Sequence, residues 1–148
     1  MPRWKVSDDD AGTAPLEFIL AGLLLLVPIV YLIVALGVIQ QQSLGAESGA
    51  RHIARAIATA PDAASARDRA DAVARSIVEE YGIDRDELDL ALSCRPAGDC
   101  PRAGATLVVT ISTRVALPLV PPVLSLDRLA SVPLSASSAA KISRVWGE

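Results

Sequence analysis

Histidine, cysteine and aromatic residues are scarce in this chain: one histidine, two cysteines and 3% aromatics among 148 residues. A structural zinc site takes about four ligands, and His52 with Cys94 and Cys100 falls short of that number. His52 also stands without a second histidine or a catalytic cysteine to orient it, so the usual acid–base and nucleophilic arrangements are missing. Basic charge is not in excess either. Lys and Arg number 14 against 17 Asp and Glu, a net charge of −3, which excludes the basic face that nucleic-acid phosphates require. The length excludes a cofactor fold joined to a separate substrate fold. No catalytic residue, cofactor, metal or nucleic-acid partner is expected. Charge itself is missing from one region: between Thr13 and Ala46 the only charged side chain is Glu17.

That region contains the strongest signal in the sequence. Phe18 to Ile39, FILAGLLLLVPIVYLIVALGVI, is a charge-free run of 22 residues. As a helix it would extend roughly 33 Å, against a bilayer hydrocarbon core of about 30 Å. Pro28 lies inside the run and predicts a kink near Leu24, since membrane helices tolerate proline when neighbouring groups satisfy the freed carbonyl. A cleaved secretory signal is the bland alternative. Arg3 and Lys5 precede the run and Ala35-Leu36-Gly37 supplies small residues, but signal cores usually span about 7 to 15 residues.

The residues before the run carry further information. A carboxylate at the membrane edge, Glu17, is retained when it pairs with something, because an ion inside the bilayer costs about 2.5 to 3.5 kcal/mol on insertion scales. A cut after Gly12 would create an α-amino group on Thr13, one helical turn from Glu17, and a neighbouring copy shifted along its axis could present the same amine. Gly12-Thr13-Ala14-Pro15-Leu16-Glu17-Phe18 followed by one apolar helix resembles the class III signal of type IV pilin-like proteins. In that superfamily it is similar to the TadE-like minor pilins of the tight-adherence (Tad, or Flp) pilus, over roughly Ala11 to Ala60. The resemblance implies a leader at 1–12, prepilin-peptidase cleavage after Gly12 and a mature terminus at Thr13, with its methylation left open. It further implies that Glu17, with Phe18 beside it, docks the subunit by neutralising an N-terminal amine. The acidic Asp8-Asp9-Asp10 and the proline at position 15 depart from the family's usual leader and first turn, although proline is acceptable there.

After Ile39 the helical pattern continues as a stalk, with Gly45, Gly49, Ile53, Ala56 and Ala60 on one face. Pro61 and Asp62 predict a turn and a new helix start. Ala66, Ala70, Val73, Ala74, Ile77, Val78 and Tyr81 form an amphipathic stripe, which Gly82 ends. The period then changes to two. Leu88, Leu90, Leu92 and Cys94 predict one strand, and Leu107, Val109, Ile111 and Thr113 a second. Arg95 to Ala105, with Pro96, Gly98, Pro101 and Gly104, reads as their loop. Val132 to Ile142 could add an antiparallel edge, after a stiff connector at Leu117–Pro122. The expected class is α+β: a long apolar helix and stalk (13–60), then a head (61–148) with an amphipathic helix and about three antiparallel strands.

Cys94 and Cys100 read most simply as a disulfide in the proposed loop, which places the head outside the cytoplasm. Ser138-x-x-Lys141 has an acyl-enzyme spacing without that chemistry's partner motifs. Asp84, Asp86, Glu87 and Asp89 lack the glycine and terminal glutamate of a calcium loop. The expected function is a processed minor pilin or pseudopilin, held in the cell membrane with a short cytoplasmic N-terminus. Its partners would be prepilin peptidase, other pilin subunits, the pilus membrane platform and the lipid bilayer. An uncleaved, single-pass envelope binding module is the alternative.

Overall fold

The computed structural model describes residues 14–120 and 130–147. Helix α1 runs unbroken over Ala14–Ala58, with Pro28 inside it. Helix α2 covers Ala63–Tyr81, a single 3-10 turn covers Arg85–Glu87, and three strands follow: β1 Asp89–Arg95, β2 Thr106–Ala116 and β3 Ser131–Lys141. The chain divides into two compact units, one through Leu36 and the other from Gly37 onward. In the first, α1 is apolar around its whole circumference. In the second, the remainder of α1 joins α2 and the sheet in a shared core.

Local chemistry explains where α2 starts and stops. Asp62 caps it: the Ser65 backbone N–H donates to Asp62 Oδ1 at 2.8 Å, and the Ser65 hydroxyl donates to Oδ2 at 3.1 Å. Such a cap satisfies an amide that has no partner in the first helical turn. Gly82 ends the helix at φ 63° in the left-handed region, a conformation that costs a side chain-bearing residue. The Arg69 guanidinium donates to Thr59 O at 3.3 Å across the turn between the two helices.

The sheet order is β1-β2-β3, antiparallel throughout. Alternation puts Leu107, Val109, Ile111, Thr113 and Val115 of the central strand on the buried face. Opposite them stand Cys94, Leu92 and Leu90 on β1, and Ala140, Ser138, Ala136, Leu134 and Val132 on β3. The helices cover this face. A slip of one residue would turn the whole apolar set outward, so the register is fixed by burial. Beyond β3, the Ile142 N–H donates to Ala105 O at 2.9 Å and the Gly147 N–H to Pro61 O at 3.0 Å, which ties the chain's end to the turn before α2.

The buried face of α1 contains Gly45, Gly49 and Ile53 of the expected stripe, with Ala60 buried just beyond the helix, and is wider than that stripe. Ala46, Ala50, Ile53, Ala54, Ile57 and Ala58 are buried, whereas Ala56 is only half-buried. Two adjacent rows of small or branched residues face inward because α1 meets two partners. A Cβ at Gly45 would lie 2.6 Å from Tyr81 Cγ on α2, and one at Gly49 would lie 2.6 Å from Ile77 Cδ1 and 3.0 Å from Ile111 Cδ1 on β2. Close backbone approach at these glycines sets the depth to which α1 sinks between helix and sheet.

Gly45→Val should therefore destabilise the head by about 1–3 kcal/mol through overpacking against the root of the Tyr81 ring. Gly22→Val, where no atom lies within 4 Å, should leave its thermal unfolding in detergent unchanged. A second expectation concerns pH. The Ser65 backbone amide, and then its hydroxyl, hold the Asp62 carboxyl below its ordinary value of 3.8. A depressed folded pKa contributes stability that is complete above the unfolded value and is lost as pH falls through the folded one. Asp62→Asn keeps an acceptor but does not titrate, so the wild type minus variant difference in Tm should shrink across that acid window.

Candidate functional site

The apolar half of α1 is the most conspicuous surface of the molecule. Phe18 is 80% exposed and Leu24 74%, and exposed apolar residues continue on every side as far as Val30 and on most sides to Leu36, where Tyr31 is half-buried and Ala35 buried. A monomeric protein in water rarely displays contiguous apolar surface beyond a few hundred Å². Among the described residues this is one helix, near the N-terminus, long and apolar enough to cross a bilayer; a signal sequence would satisfy the same criterion.

Glu17 lies in the first turn of this helix, where the free N–H groups and the helix dipole favour a negative charge. It is exposed and has no ion-pair partner among the described residues. Phe18 beside it is exposed too. Gly12 and Thr13, the expected processing positions, lie outside the described residues. The structure thus places a carboxylate at the entrance of an apolar helix, without an ion-pair partner among the described residues.

The remaining chemistry-bearing residues are spread apart or locally used. Cys94 and Cys100 form a disulfide, with Cα atoms 5.5 Å apart. The bridge closes the β1–β2 loop, and the Arg102 guanidinium donates to Pro96 O at 2.9 Å inside it. Ser138 and Lys141 fall on opposite faces of β3, as any three-residue separation on a strand must. Lys141 is exposed and pairs with Thr106 in register, so the two cannot serve one acyl-transfer site. Asp84 accepts from the Asp86 N–H at 3.0 Å and caps the 3-10 turn. Glu87 meets Arg114 at 3.5 Å. These acids hold a turn together. Among the described residues no three His, Cys, Asp or Glu side chains converge as metal ligands. His52 is exposed on α1.

Sequence reasoning missed a shallow depression of about 690 Å³ lined by Gln42, Gly82, Asp84, Glu87, Arg114, Ala116 and Ser131. The Gln42 amide donates to Gly82 O at 3.2 Å, a contact between residues 40 apart that no local pattern could signal. Comparison of the chain with protein-family models, with curated proteins and with solved structures finds no match.

The disulfide closes a short loop, for which chain entropy gives about 2–2.5 kcal/mol of stabilisation. Cys100→Ser should lower head stability by that amount, read from denaturant unfolding of the full chain in detergent. Dithiothreitol should bring the wild type to the same midpoint and leave the variant unmoved.

Proposed function

We propose that this chain is a minor pilin or pseudopilin of the Tad (Flp) type: cut by prepilin peptidase after Gly12, held in the cell membrane by Phe18 to Ile39, and assembled with other subunits at or in a pilus. The single observation that carries the reading is Glu17, without an ion-pair partner among the described residues, in the first turn of a continuous 45-residue helix that is apolar all round towards its N-terminal end and contributes its C-terminal end to the core of a small α+β head. A subunit that exchanges lipid for helix contacts needs that division. The apolar half can move between two low-polarity surroundings at small cost, because lipid tails and neighbouring helices are comparably apolar.

Glu17 gives the exchange a register. A carboxylate entering the apolar interior of a fibre without a partner would carry a large desolvation cost. The Thr13 amine of a neighbouring copy neutralises it only at one axial offset. Phe18 lies next to that contact and contributes apolar surface to it. The disulfide supports a head on the oxidising side of the membrane, with the short N-terminal segment cytoplasmic. The chain would then act by binding, without catalysis or a cofactor.

Two measurements test the proposal. Intact mass and N-terminal sequencing of protein from host membranes should show a peptidase-dependent start at Thr13. A start at Met1 or Pro2 would favour the uncleaved tethered module, and a start near Val38 a secreted domain. Glu17→Ala should retain membrane insertion while losing assembly into pili, scored by pulldown with the other subunits. Unchanged assembly of that variant would remove Glu17 from the docking role.

A further inference from the structure

We infer that the free edge of β1 is a docking surface for a second copy of this chain: two β1 strands pair antiparallel about a two-fold axis at Leu92 and join the heads into one sheet of six strands, three from each copy. Edge position is the first observation. β1 has β2 on one side only, and among the described residues no backbone hydrogen bond leaves its other side. Soluble proteins blunt such an edge with proline, a bulge or a lysine. β3 has Pro133 and Lys141, whereas β1 pairs one residue for one along Asp89–Arg95 with neither a bulge nor a proline. One edge of the sheet is therefore guarded and the other is not.

The sequence of the unguarded edge is complementary to itself. Asp89 begins β1 and Arg95 ends it; both are exposed, and neither has an ion-pair partner among the described residues. Antiparallel pairing centred on Leu92 sets Asp89 opposite Arg95 of the second copy, and Arg95 opposite its Asp89. Leu90 then meets Cys94, Ala91 meets Ser93, and Leu92 meets Leu92. Opposite charges directly across a strand pair attract, and like charges repel. Parallel pairing would set Asp89 against Asp89 and Arg95 against Arg95. Sliding the antiparallel pair by two residues in either direction removes both charge pairs. Charge thus selects one direction and one register.

Burial agrees with that centre. Leu92 is on the helix-covered face, where its neighbour Val109 is fully buried, yet Leu92 itself is 40% exposed. Pairing at the two-fold brings the open sides of two such leucines together and extends the apolar layer from one head to the next. On the opposite face the meeting residues Ala91 and Ser93 are small, so nothing bulky holds the strands apart.

This contact is separate from the docking role proposed for Glu17. The buried residues from Ala46 to Ala58 lay that stretch of α1 along the sheet, and a two-fold perpendicular to the sheet reverses its direction from one copy to the other. Neighbours docked through Glu17 run parallel. The β1 pair links copies that run in opposite directions, so it connects two assemblies and does not build one.

The test uses the full chain in detergent. Both native cysteines are in the disulfide, so single cysteines can be introduced: Ala91→Cys, Ser93→Cys, and Ser137→Cys on the outer face of β3 as a control. Residues directly opposite are close enough for a disulfide, and residues offset by two are not. Under mild oxidation a mixture of the 91 and 93 variants should give far more covalent dimer than either alone or than the 91 and 137 mixture. Asp89→Arg and Arg95→Asp should each weaken concentration-dependent dimerisation in sedimentation by roughly tenfold, because each sets two like-charged pairs opposite one another. The double variant should restore it. Thermal unfolding of each variant identifies any that fails to fold, and the rescue by the double variant does not depend on either single one folding. Equal cross-linking of all mixtures, or a chain that stays monomeric at every concentration, overturns the proposal. So does a dimer that both charge reversals leave unchanged, which is what association through the apolar half of α1 would give. None of these outcomes bears on cleavage after Gly12 or on Glu17.

Discussion

One helix has to satisfy two surroundings, and the rest of the molecule follows from where it changes between them. As far as Val30, α1 exposes its side chains in all directions, and from Tyr31 one side begins to be covered. Beyond Gln42 it is apolar on one broad face only, and that face is buried between α2 and the sheet. A helix that is hydrophobic all round needs an apolar environment on every side, whereas a one-sided helix needs a single protein partner face. Both requirements are written into one unbroken run of hydrogen bonds, so the head has no core of its own without the last four turns of α1.

The small residues of α1 make that burial work. Gly45 and Gly49 let Tyr81 and the Ile77–Ile111 pair come against the helix backbone, and Ala46, Ala50 and Ala54 are buried on the helix beside Ile53 and Ile57 of the core. The sheet supplies the opposing surface through β2, which is hydrogen-bonded on both edges and so cannot shift. β1 and β3 then remain as edges. Pro133 and Lys141 on β3 provide an absent N–H and a charge, both of which discourage strand addition. Thus the head is small, stapled at Cys94–Cys100 and closed at its termini, while chemistry-bearing residues serve caps and turns.

Function, in this reading, resides in what the single chain leaves unsatisfied. Among the described residues Glu17 has no ion-pair partner, and most of the apolar half of α1 is uncovered. The uncovered apolar surface is a cost that a monomer in water rarely retains. In the proposed function, lipid would relieve the second and the amine of a neighbouring copy the first.

Much of the architecture follows from short-range chemistry and was legible before any coordinates: Asp62 and Gly82 bounding α2, the alternation that sets β1, β2 and β3, the apolar run with Glu17 at its entrance, and the pairing of Cys94 with Cys100. These depend on backbone conformation, periodicity and composition within a dozen or so residues. The tertiary structure decided what no local pattern encodes. It selected Ile57 over Ala56 for the core, because α1 is gripped from two sides and its buried arc is wider than one stripe. It joined Gln42 to Gly82 and Gly147 to Pro61 across long stretches of chain, and it brought the Ala116 and Ser131 ends of two strands beside the polar boundary of α1. Sequence spacing fixes which face a residue occupies; only packing fixes which distant face it meets.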